Sequence, residues 1–192
     1  MKARLTILLA LVLLGSVPAL AQRARRAAKA EDTGPVSVTR SATLRVTIAS
    51  DTIGIFDYLS DARKLAMWFP DQAVIEPQLG GRYHFRWSGK EGVWSGVVTE
   101  FIRGNTLGLT WKPPNEPYET NLRFKLSPQA GETIVELTHS GFTSSESMEM
   151  AVKAWRLYLE NLKSVIEDDT DLREEMRRPA PRATRTRPRK TE

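Results

Sequence analysis

The chain has 192 residues, 41% of them hydrophobic, enough for one ordinary domain with its own core plus tails. Its formal charge of +5 is unevenly spread: residues 1–30 carry six Lys/Arg and no acid, 31–169 carry 14 basic against 19 acidic, and 170–192 carry eight against four. The middle is therefore acidic, which excludes a basic nucleic-acid-binding face there, and the lack of cysteine excludes disulfides, thiol catalysis and cysteine-based zinc sites.

MKARLTILLALVLLGSVPALAQ opens with a short basic start, an apolar run from Leu5 to about Val17, and Ala19-Leu20-Ala21 as a small-residue cleavage site. Residues 1–21 read as a secretory signal cut after Ala21, so the protein is expected to be exported, periplasmic or secreted. The competing reading is an N-terminal membrane anchor, since Leu5 to Ala21 spans 17 residues, at the lower edge of a bilayer span. Arg23, Arg25, Arg26 and Lys29 favour that alternative, because they oppose translocation. Residues 22–35 lack apolar periodicity and read as a flexible basic lead-in.

The domain is expected over residues 36–169. VSVTRSATLRVTIAS alternates as a long strand; Ser50-Asp51 and Ser60-Asp61 then offer N-caps for two short helices, the first carrying Ile53, Phe56 and Leu59 and the second ended by Pro70. From Val74 onward, Gly80-Gly81, Ser88-Gly89-Lys90, Gly104-Asn105, Pro113-Pro114-Asn115 and Pro128 to Gly131 punctuate six strands near 73–77, 81–88, 92–103, 106–112, 118–127 and 132–140. Alternation sorts their faces. Tyr83, Phe85 and Trp87 oppose Arg82, His84 and Arg86, and Tyr118, Leu122, Phe124 and Leu126 oppose Glu119, Arg123 and Lys125. One face is wet and the other apolar.

WRLYLENLKSVI supplies the cover. At helical spacing Met148, Val152, Trp155, Leu159, Leu162 and Ile166 form one line, widened by Ala151, Tyr158 and Val165. The pattern predicts an α+β helix-grip fold: a curved antiparallel sheet of about seven strands wrapped round a long C-terminal helix, with two short helices after the first strand. Residues 170–192 are proline-interrupted and basic, and are expected to be a disordered tail with weak, salt-sensitive attraction for anionic lipid or polymer.

GGRYHFRW followed by GVVTEF, LGLTW, VELTHSGF and the helix WRLYLENLK resembles, over about residues 40–168, the activator of heat-shock-protein-90 ATPase homologue-like family of the START-like (SRPBCC) superfamily. The resemblance implies an apolar cavity between sheet and helix but no single activity, because the superfamily includes carriers, binders, cyclases and co-chaperone domains. The eponymous activity needs a cytosolic chaperone, which an exported chain would not meet.

Candidate pocket residues are Tyr83, Phe85, Trp87, Trp111, Tyr118, Phe124, His139, Trp155 and Leu159, against the reading that they simply fill the core. His139, inward by alternation with Val135 and Leu137, reads as a structural histidine linking strand to helix; the competing reading is a general base. Glu100 reads as an outward carboxylate paired to Arg82 or Arg86, on a strand that must otherwise bulge. No cofactor motif, phosphate loop, nucleophile elbow or metal motif is present, so no cofactor is expected. The leading expectation is non-catalytic binding of a hydrophobic small molecule or lipid. The alternative is a protein-interaction or co-chaperone-like module with a closed core, and a third reading is a hydrolase or cyclase using His139 with Glu100.

Overall fold

The computed structural model describes residues 39–177, apart from Asn115. Its order is β1 (Arg40–Ile48), α1 (Thr52–Ser60), α2 (Ala62–Trp68), β2 (Gln72–Ile75), β3 (Arg82–Arg86), β4 (Trp94–Ile102), β5 (Thr106–Trp111), β6 (Thr120–Gln129), β7 (Glu132–Phe142), α3 (Ser145–Asp168) and α4 (Arg173–Arg177). The strands form one antiparallel sheet in the order β1-β7-β6-β5-β4-β3-β2. Apart from β1, strand neighbours follow chain order, as short hairpin connections require. β1 pairs with β7 and closes the other side.

Local chemistry sets the helix starts. The Asp51 side chain accepts hydrogen bonds from the Ile53 and Gly54 N–H groups, and the Asp61 side chain from those of Arg63 and Lys64, so each short helix has two of its orphan donors satisfied. Ser144 caps α3 in the same way through the Ser147 N–H. α3 then buries Trp155, Leu159, Leu162 and Val165 in one apolar cluster with Phe85, Leu107, Leu122, Phe124, Val135 and Leu137 of the sheet. Burying each such aliphatic side chain is worth about 1.5–3 kcal/mol relative to leaving it exposed, so this one interface carries much of the domain's stability.

The β4 strand resolves its own conflict by a bulge. Register shifts between Val98 and Glu100, which lets Val98 point into the core while Glu100 faces outward. Glu100 does not pair with Arg82 or Arg86. Its two oxygens accept from Arg123 of β6 at 2.7 and 3.0 Å, because β5 presents only Gly108 between them and leaves a gap the long side chains cross.

The expected disordered tail also needs correction at its start. Residues 170–177 fold back onto the domain: Arg173 donates to the Pro70 and Met67 carbonyls, and Arg177 reaches Asp71 at 2.6 Å. The buried Asn161 organises this clasp, donating to the Trp68 carbonyl and Asp171 and accepting from the Leu172 N–H. Sequence reading missed it because an arginine that closes helix and loop carbonyls looks, in one dimension, like any other basic residue. The expected signal, lead-in and the tail from 178 onward lie outside the described residues.

Candidate functional site

Most of the space between α3 and the sheet is filled, but at one end a cavity of about 250 Å³ is left. Its walls are aromatic. The sheet contributes Trp87, Trp94 and Trp111, the end of α2 contributes Phe69, and α3 contributes Trp155 and Tyr158. Phe69 stacks on Trp155 at 4.9 Å between centroids and meets Trp87 and Tyr158 edge to face, so one ring positions three walls. The Trp87 indole N–H donates to the Phe69 carbonyl, which fixes the β3 end to the α2 end.

Two loops make the rim. The turn after β3 carries Lys90, and the β5–β6 loop carries Pro113, Glu116 and Tyr118. They touch at Gly92, whose φ of +88° suits glycine and whose position leaves no room for a side chain: a Cβ there would lie 2.7 Å from the Pro114 ring. The rim opens to solvent beside exposed Lys90, Met150 and Ala154.

At the inner end sits His139, 3% exposed. Its Nδ1 accepts from the Trp155 indole N–H at 3.1 Å, which leaves the proton on Nε2, 2.8 Å from Thr120 Oγ1. The Thr120 hydroxyl in turn donates to the Trp111 carbonyl at 2.9 Å. Every proton in this chain is committed. Burial, with no carboxylate partner, pushes the imidazole down to about 4, so it is neutral at ordinary pH. With both nitrogens occupied it is a strut between β7, β6 and α3, as the structural reading expected, and offers no free base.

Of the nine pocket candidates, Trp87, Trp111, Tyr118, His139 and Trp155 line the cavity. Tyr83, Phe85, Phe124 and Leu159 do not; they lie in the packed core. Alternation shows that a side chain points inward but not how much space stands over it. Phe69, Lys90 and Tyr158 were not foreseen as lining, although the run MWFP, the turn SGK and the widened helix face held them, and neither were Trp94 and Met150. Glu100 and His139 are on opposite faces of the sheet, and the Arg123 guanidinium beside Glu100 holds its carboxyl below the usual range, so they form no acid–base pair. Among the described residues no group of His, Asp and Glu could hold a metal ion.

Several solved structures share this fold. One is protein MLL2253 from Mesorhizobium loti, 22% identical, with 69% of this chain and 100% of that one covered and a TM-score of 0.62. Another is the Aha1 dimer from Colwellia psychrerythraea, 23% identical, covering 67% and 97% with a TM-score of 0.61. A third is CalU16 from Micromonospora echinospora, 20% identical, covering 68% and 78% with a TM-score of 0.59. No curated protein matches the sequence. The family model described as Activator of Hsp90 ATPase homolog 1-like protein matches residues 54–167. That span runs from α1 almost to the end of α3 and takes in six of the seven strands, the long helix and the cavity wall, and the chain belongs to this family.

Proposed function

We propose that the protein is a non-catalytic binder of a small hydrophobic molecule, taken up in the cavity between the sheet and α3. The observation that carries this reading is an aromatic-walled space left open at one end of an otherwise filled interface, with its histidine neutral and fully bonded. Native mass spectrometry of protein purified from its own host tests it. A co-purifying apolar compound, displaced by a neutral apolar dye, is the expected result; an empty protein that binds no such dye would overturn it.

A second reading is favoured by the comparisons more than the first: an interaction module of the kind the family's description names, acting on a partner protein. Its test is stimulation of a chaperone ATPase by the purified domain together with cross-linked partner capture, with the cavity blocked and unblocked. Stimulation that persists when the cavity is blocked supports this reading over the first.

For location, we propose export through residues 1–21, with membrane anchoring as the alternative, and a weak salt-sensitive contact of the basic C-terminal residues with anionic lipid or polymer. Among the described residues no helix is long and apolar enough to cross a membrane. The intact mass of the protein recovered from cell fractions decides between a chain starting at Gln22 and a retained Met1 segment.

A further inference from the structure

We infer that the cavity's occupant is a small aromatic acid, inserted ring first, with its carboxylate held at the mouth by Lys90. This rests on the cavity-binding reading above and adds the orientation and the charge of the ligand.

The orientation follows from the inner end. There the Trp155 N–H is given to His139, the His139 N–H to Thr120, and the Thr120 proton to the Trp111 carbonyl. No donor of this chain is left over, so an anionic group placed against it would lose its water with nothing there to replace it. An aromatic ring placed there meets the rings of Trp111, Phe142 and Trp155. At about 250 Å³ the space is below the roughly 300–1,000 Å³ of drug-sized sites, which fits a one- or two-ring body.

The charge follows from the mouth. Lys90 Nζ lies 5.9 Å from the ring centroids of both Trp87 and Trp94, so two indoles hold the ammonium at the rim. Among the described residues Lys90 makes no ion pair. The adjoining cleft shares Trp87 and Lys90 with the cavity and adds Arg86 and Asp71. Arg86 is likewise without an ion pair among the described residues, whereas Asp71 is already matched by Arg173 and Arg177. Glu116 is the one carboxylate lining the cavity itself. Among the residues lining the cavity and this cleft, Lys90 and Arg86 therefore stand against Glu116 as the one unmatched carboxylate, which leaves the two linings net positive. A carboxylate arriving there gains Lys90, while an ammonium would have to displace it from its two indoles.

Calorimetric titration of the full chain with three probes of one ring system tests the idea: naphthoate, naphthalenemethanol and naphthylmethylammonium, at neutral pH and low salt. Naphthoate should bind about three- to fivefold more tightly than the alcohol, the gain of one partly exposed ion pair, and the ammonium should bind least. Lys90→Gln should abolish naphthoate's advantage over the alcohol. Glu116→Gln should strengthen naphthoate. High salt should weaken naphthoate alone. Lys90 is exposed on a turn, so its variant should melt with the parent, and a melting curve checks this. Equal affinity for all three probes, or a preference for the ammonium that Glu116→Gln removes, would overturn the inference while leaving the cavity reading intact. Failure of every naphthyl probe to bind would overturn both.

Discussion

Replacing His139 by Gln should remove most of the domain's loss of stability between pH 7 and pH 5. The imidazole's ordinary value of 6.5 falls to about 4 in the folded protein because the ring is buried. Between those values the unfolded chain binds a proton that the folded chain does not, so stability rises with pH. The contribution is fully present above the unfolded value of 6.5 and is lost as pH falls toward about 4. At about 1.4 kcal/mol per unit the whole depression corresponds to roughly 3 kcal/mol, of which about 2 kcal/mol falls between pH 7 and pH 5. The carboxylates held low in the fold, such as Glu100 and Asp71, titrate in the unfolded chain mostly below pH 5, so they add little slope over this interval and add it equally to both proteins. Glutamine can accept from the Trp155 indole N–H and donate to Thr120, so it keeps the strut without a titrating group. Urea unfolding followed by tryptophan fluorescence, extrapolated to water at both pH values, gives the two drops. The parent should lose about 2 kcal/mol more than the variant. Independently, long-range proton–nitrogen spectra of the parent at pH 7 should show the Nε2-protonated tautomer. Equal drops in the two proteins, or the other tautomer, would refute the reasoning.

Other outcomes follow from the same packing. Trp155 is 4% exposed and stacked on Phe69, so Trp155→Ala should cost about 3–5 kcal/mol, and Trp155→Leu, measured by melting and by titration of an apolar dye, should cost less while enlarging the cavity and changing dye affinity. Arg173→Ala leaves the Met67 and Pro70 carbonyls without their donor and should cost about 1–3 kcal/mol in urea unfolding, whereas deleting residues 178–192 should leave the melting temperature unchanged. Glu100→Gln breaks a bidentate pair with Arg123 whose side chains are about one third and one half exposed, and should change stability by no more than about 1 kcal/mol in the same assay.

The architecture could be read without coordinates because it rests on short-range rules. Alternation placed Tyr83, Phe85 and Trp87 inward, aspartates before apolar runs marked both short helices, and helical spacing gathered Trp155, Leu159 and Leu162 on one face. Each of these depends only on backbone period and on groups a few residues apart. Even the inward aim of His139 and its link to the long helix followed from period two and the chain's direction.

What tertiary structure alone decided is where the interface is full and where it is not. Phe124 and Leu159 look the same in sequence as Trp111 and Tyr158, yet the first pair is packed and the second borders a void, and Phe69, which holds three of the cavity walls, comes from a helix end far away in the chain. The partner of Glu100 depended on Gly108 clearing the strand between β4 and β6, and the role of Arg173 on carbonyls more than 100 residues away. Such contacts join positions distant in the chain, and no local periodicity records them. The positive rim around Lys90 has the same origin: it exists because Asp71, which would otherwise neutralise it, is already held by the returning C-terminal segment.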